Sequence, residues 1–147
     1  MPGRWKVARR TLEYERGARG GQAGGYVVTE RDAWEVVDLA RRMDRGGTPV
    51  LEDPVLRDRM VDFIIEIQSN ALCRERLKIS ALNEEHPAGL PLSSKLMTTE
   101  FVRRLNEFGV SMTGAKGGYY VGDPNAVDNG IWTRSYLNAF SATIGGG

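Results

Sequence analysis

The chain has 147 residues, 41% hydrophobic and 27% charged, with a formal net charge of +1. That length supports one domain with its own core, and the balanced charge excludes a dedicated nucleic-acid binder. A single cysteine (Cys73) excludes an internal disulfide framework, a single histidine (His86) excludes the usual zinc quartets, and apolar runs of only a few residues exclude a membrane span. Arg4, Lys6, Arg9 and Arg10 interrupt the first stretch and no apolar run follows, so no signal peptide is read and a cytoplasmic protein is expected.

The apolar period is helical throughout. A first helix from Trp5 to about Arg16 puts Trp5, Ala8, Leu12 and Glu15 on one stripe. Glu15 is then either a solvated residue at a fraying helix end or a carboxylate aimed from the core-facing stripe into a cleft. Five glycines follow between Gly17 and Gly25 and interrupt regular structure. A second helix opens at Thr29-Glu30-Arg31-Asp32, a weak capping box, and buries Ala33, Val36, Val37, Ala40 and Met43 before Gly46-Gly47 ends it.

The third helix has the strongest start signal. Asp53 is an N-cap and Pro54 takes the first helical position, where its missing N–H costs nothing. Leu56, Met60, Phe63, Ile64, Ile67 and Ala71 follow in register, and with no breaker before Pro87 the helix is expected to reach about Glu85. A fourth begins near Ser93 or Ser94, carries Met97, Phe101, Leu105, Phe108 and Met112, and stops at Gly114. A fifth runs from about Asp128 to Thr143 with Trp132, Tyr136, Leu137, Phe140 and Ile144 as its apolar contacts. No strand pattern of useful length is present. The expected fold is all-α, an up-down bundle of four to five helices with glycine-rich connectors.

Little in this pattern names a chemistry. Neither glycine cluster follows a strand or carries the G-x-G-x-x-G or G-K-[ST] pattern of a phosphate loop, so both read as flexible connectors. Cys73 is a small packing residue within a helix, and His86 suits a helix C-terminus. No Ser-His-Asp set, paired-histidine metal site or EF-hand loop occurs, and no metal is expected. Six basic residues among the first 19 (Arg4, Lys6, Arg9, Arg10, Arg16, Arg19) form either a solvated face or a site for an anionic ligand.

The order of local patterns is more specific. Trp5-Lys-Val-Ala-Arg-Arg-Thr-Leu-Glu-Tyr-Glu-Arg-Gly17 resembles the start of the C-terminal helical domain of acyl-CoA dehydrogenases. Leu51-Glu-Asp-Pro-Val-Leu-Arg57 resembles the entry to that domain's second long helix, and Ser93-Ser-Lys-Leu-Met-Thr-Thr-Glu100 the opening of its third. Trp132-Thr-Arg-Ser-Tyr-Leu137 with Ala142-Thr-Ile-Gly-Gly146 is similar to its final stretch, and the pattern is most like the branch associated with bulky substrates such as steroid side chains.

The resemblance implies the C-terminal four-helix bundle of a longer protein, with this chain a fragment inactive by itself, since Gly147 falls where the family's flavin-contacting segment begins. It implies FAD as cofactor, an acyl-CoA thioester as substrate, and assembly into a homo- or hetero-oligomer without nucleic acid or membrane. The implied reaction is α,β-dehydrogenation: a glutamate removes the α-proton and the β-hydrogen leaves as hydride to the flavin, in a dry site where desolvation raises the carboxylate's pKa. Family members carry that glutamate either in the loop before the last helix or on the first helix of this domain. The loop position here is Gly146, with no side chain, and the helix position is Glu15. The resemblance therefore implies Glu15 as the base, Arg16 as a substrate-binding neighbour of the thioester, and Gly146 and Gly147 as cofactor contacts. Two segments depart from the family pattern. Arg41-Arg-Met-Asp-Arg-Gly-Gly47 replaces the flavin-binding R-x-x-F-G, and only Gly114-Ala-Lys-Gly-Gly118 stands for the Q-x-x-G-G-x-G segment. These departures keep a second reading open, that of a non-catalytic helical partner subunit of a heteromeric dehydrogenase.

Overall fold

A computed structural model of the chain describes residues 5–8, 30–79, 81 and 89–144. Residues 5–8 are helical. The remaining elements are α1 (Glu30–Arg42), a hairpin of β1 (Asp44–Arg45) and β2 (Thr48–Pro49), a 3-10 turn (Val50–Glu52), α2 (Pro54–Leu77), α3 (Gly89–Met112), two further 3-10 turns (Gly114–Gly118 and Val127–Gly130), and α4 (Ile131–Ile144). The fold is an all-α helical bundle, and among the described residues no helix is long and apolar enough to cross a membrane.

The core forms where the apolar faces of α1, α2 and α3 meet. Ala33, Val36, Val37 and Ala40 of α1, Leu56, Met60, Phe63 and Ile67 of α2, and Phe101, Leu105, Phe108 and Met112 of α3 are all buried. The ring of Phe63 stands edge-on to Phe101 at 5.7 Å between centroids and tilts against Phe108 at 5.4 Å. Leu39, off the expected face, is also fully buried because α1 packs on both α2 and α3. Among the described residues Asn70 and Thr113 are the buried polar side chains: Thr113 Oγ1 donates to the Val110 carbonyl (2.7 Å), whereas Asn70 Nδ2 has no hydrogen-bond partner.

The start of α2 follows its sequence signal: Asp53 Oδ1 accepts from the amides of Val55 (2.9 Å) and Leu56 (3.2 Å), with Pro54 first in the helix. Its end does not. The helix stops at Leu77, well short of Glu85, in a turn that tightens to three-residue spacing, Lys78 N donating to Glu75 O and Ile79 N to Arg76 O. Arg74 and Arg76 in that last turn face the negative end of the helix dipole, which lets the helix end without glycine or proline. In α3, Pro91 lies in the first turn, where an amide has no intrahelical partner, so the helix begins at Gly89 and not at the serines.

Gly46-Gly47 has a different role from a helix stop. Helix α1 ends at Arg42, and the two glycines, at φ +65° and +87°, form the two-residue turn of the hairpin, pairing Asp44 with Pro49 and Arg45 with Thr48. Positive φ at both central positions matches the twist of a tight hairpin, and strands of two residues are too short to show alternation.

The expected stripe of the last helix is also corrected. Leu137, Phe140 and Ile144 are exposed, Ile144 by 83%, whereas Ala139 is buried. Helix α4 lies on α3 along Trp132, Ser135 and Ala139 because Gly109 of α3 leaves room for the indole. A Cβ at Gly109 would come within 2.4 Å of Trp132 Cε3. Gly109→Ala should therefore destabilise the bundle by about 1–3 kcal/mol through overpacking. Urea unfolding measures this, and an unchanged midpoint would show that the indole does not occupy that space. At the other end of the chain, Trp5 and Ala8 open the stripe that should face the core, yet both are exposed.

Candidate functional site

None of the four residues that the sequence marks for chemistry falls in the described part of the chain: Glu15, Arg16, Gly146 and Gly147 all lie outside it. The most organised polar feature among the described residues is elsewhere, where the end of α1 meets the turn preceding α4. Arg42 donates from Nη1 to Asp128 Oδ1 (2.7 Å) and from Nη2 to Asp128 Oδ2 (2.9 Å), and Trp132 Nε1 donates to the same Oδ2 (2.9 Å). The Arg42 hydrogen bonds hold the Asp128 carboxyl below its ordinary range against partial desolvation, with the indole N–H adding to the effect. Asp128 in turn raises the Arg42 guanidinium.

The backbone there is unusual. Asp128 (φ 49°), Asn129 (φ 54°) and Gly130 (φ 73°) are all left-handed in succession. Asp, Asn and Gly tolerate this region best, and Asn129 Oδ1 accepts from the amide of Gly122 (3.2 Å). At Gly130 a Cβ would meet the backbone of Tyr120 and Val121 at 2.6 Å. The sequence placed Asp128 as the start of a helix. The Asp-Asn-Gly run was the available signal for a left-handed turn, but nothing local points to Arg42, 86 residues away.

Because the folded-state pKa of Asp128 is depressed, the stability it contributes is present above the unfolded carboxylate value and lost as pH falls through the folded one. Asp128→Asn should cost about 0.5–1 kcal/mol near neutrality, a screened, partly exposed pair being worth no more. The difference between the two proteins should vanish in acid below the usual carboxylate range. Thermal unfolding across pH measures it, and a difference persisting in acid would contradict the charge-based origin.

Beside this junction a shallow cleft is lined by Asp32 and Glu35 of α1, Val102, Leu105 and Asn106 of α3, and Ile131, Trp132 and Ser135 of α4. Its volume of about 90 Å³ is far below the roughly 300–1,000 Å³ of ordinary small-molecule pockets, so it does not hold an acyl-CoA or a dinucleotide. Among the described residues no group of three His, Cys, Asp or Glu side chains is placed to hold a metal ion.

A match to the family model for the C-terminal domain of acyl-CoA dehydrogenases runs over residues 5–147. The chain belongs to the acyl-CoA dehydrogenase family. No curated protein and no solved structure matches it. Acyl-CoA dehydrogenases are generally FAD-dependent, so the two segments of this chain that depart from the family's flavin contacts are the ones to test for fit. Arg41 pairs with Asp38 (2.6 Å), Arg42 with Asp128, and Arg45 donates to the Ser111 carbonyl (3.2 Å), so all three guanidiniums of residues 41–47 are engaged inside the chain. The segment also has no aromatic side chain. Gly114–Gly118 is folded onto α4, the Gly117 carbonyl accepting from the Thr133 hydroxyl (2.9 Å). Residues 41–47 thus present neither an aromatic side chain nor an unengaged guanidinium to a flavin.

Proposed function

We propose that this chain serves as the C-terminal helical domain of a longer, FAD-dependent acyl-CoA dehydrogenase, with Glu15 as the base for α-proton removal. The observation that carries this reading is the family match over residues 5–147, a span that includes Glu15 and Arg16. The step assigned to this chain is a proton transfer: the α-C–H bond breaks, the proton goes to the Glu15 carboxylate, and the electron pair left behind is shared with the thioester carbonyl. Arg16, adjacent in sequence, is assigned to the thioester and CoA side of the substrate. Gly146 and Gly147 are assigned to cofactor contact, a role compatible with close backbone approach.

A second reading has a specific observation in its favour. The internal engagement of residues 41–47 and 114–118 is what a helical partner subunit without flavin of its own would show. The deciding experiment follows exchange of the acyl-CoA α-proton with deuterated water, together with flavin content, in the longer protein and its Glu15→Gln variant. Exchange that depends on Glu15 supports the catalytic reading. Exchange indifferent to Glu15 overturns it. A flavin-free protein without exchange that co-purifies with a flavin-bearing dehydrogenase supports the partner subunit.

A further inference from the structure

One asparagine of this chain precedes a residue that cannot shield its own backbone nitrogen. Of the six asparagines only Asn129 is followed by glycine, Gly130; the others are followed by alanine or glutamate. A backbone nitrogen can attack the side-chain carbonyl carbon of the asparagine before it and close a five-membered succinimide ring. A glycine in that place has no Cβ, which leaves its nitrogen most open and its backbone freest to turn. Asn129 is exposed, so water reaches the same carbon.

The folded turn keeps the two reacting atoms apart. At Asn129 ψ is 30°, which sets Gly130 N on the far side of the Cα–C bond from the Asn129 side chain. Ring closure therefore requires a large rotation about ψ, since the peptide bond itself does not turn. Three tethers oppose that rotation. Gly130 is packed so that a Cβ would lie 2.6 Å from the backbone of Tyr120 and Val121, and Asn129 Oδ1 accepts from the Gly122 amide (3.2 Å). Asp128, one residue earlier, is clamped by Arg42 (2.7 and 2.9 Å) and Trp132 (2.9 Å).

We propose that Asn129 is a deamidation site gated by this turn. When the turn opens, Gly130 N bonds to Asn129 Cγ and the Cγ–Nδ2 bond breaks. The Gly130 amide proton leaves with Nδ2 as ammonia. Water then opens the ring at one of its two carbonyls, leaving aspartate or isoaspartate at 129. Aspartate keeps an oxygen for the Gly122 amide. Isoaspartate adds a methylene to the main chain inside a run of three left-handed residues whose last member has no room to shift, so the turn cannot reclose. The reaction thus makes a transient opening of the α1–α4 junction permanent. Local opening is fast beside this chemistry, so the rate follows the fraction of chains open. None of this depends on the role given to Glu15.

Peptide mapping by mass spectrometry, on the chain held in mildly alkaline buffer, tests this. Asn129 should deamidate ahead of the other asparagines, and about tenfold or more slowly than in the chain unfolded by urea. Arg42 is 86 residues from Asp128 in sequence, so Arg42→Ala should leave the rate in urea unchanged. It should raise the folded rate about two- to fivefold, the worth of a partly exposed ion pair. Trp132→Phe, which removes the indole donor to Asp128, takes its place if Arg42→Ala loses its helical circular dichroism. Amide hydrogen exchange over 119–132 should be faster in the isoaspartate form than in Asn129→Asp. Another asparagine reacting first, equal rates folded and in urea, a folded rate that loosening the clamp leaves unchanged, or an isoaspartate form that exchanges like Asn129→Asp would overturn the proposal.

Discussion

Glu15→Gln in the longer protein is expected to slow exchange of the acyl-CoA α-proton by about 10²–10⁴-fold, the usual contribution of a positioned general base. The substitution keeps side-chain length and shape and removes only basicity, so substrate affinity should change little. That combination separates a base from a binding residue: loss of binding would raise the apparent substrate constant, whereas loss of the base lowers the rate at saturation. Exchange is the preferred readout because it reports proton removal without requiring a completed oxidation. Mass spectrometry of the recovered thioester measures it directly, and a Gln variant exchanging at the wild-type rate would end the assignment. Gly146 strengthens the expectation, since the other position from which the family supplies this carboxylate has no side chain here.

Phe101→Ala should cost about 3–5 kcal/mol of stability, the usual range for emptying a large aromatic site in a core. Phe101 is fully buried on α3, and its ring meets Phe63 of α2 edge-on. Phe63 also contacts Phe108, so removing one ring loosens a three-ring cluster joining the two longest helices. The cavity cannot close easily, because each wall is a helix held by its own contacts. Phe101→Leu, which keeps most of the volume, should cost clearly less. Urea denaturation with both variants measures the difference, and a Phe101→Ala loss below about 1 kcal/mol would mean the core is not packed around this ring.

The bundle was legible where the determining forces are local. Asp53-Pro54 marks the start of α2 because the cap and the proline act within one turn. Most of the buried faces of α1, α2 and α3 follow from a 3.6-residue period, with two departures: Met97, the first residue of the expected α3 stripe, is exposed, and Leu39 of α1 is buried off its stripe by the neighbouring helices. Helix ends were less legible: Lys78 ends α2 through a tightened turn without a breaker, and Pro91 starts α3 instead of blocking it. The apolar residues of α4 were identified as such, but their surroundings were not. Which side of a short helix is buried depends on the shape of its neighbour: here the space beside Gly109 takes the Trp132 ring, while Phe140 and Ile144 stay exposed.

The site divides the same way. The order of short patterns along the chain is enough to recognise the family, since such patterns are carried in the covalent sequence itself; Glu15 and Arg16 are proposed from the same resemblance and lie outside the described residues. The Arg42–Asp128–Trp132 junction appears only in three dimensions. It pairs residues 86 positions apart, and its aspartate is in a left-handed conformation two residues before Gly130, which packs against the 120–121 backbone. Hydrophobic period, capping and turn chemistry act over a few residues and can be read from one chain. Ion pairs between distant segments, the room left by a missing Cβ, and the engagement of the Arg42 and Arg45 guanidiniums by distant segments depend on the packed arrangement, and only the tertiary structure decided them.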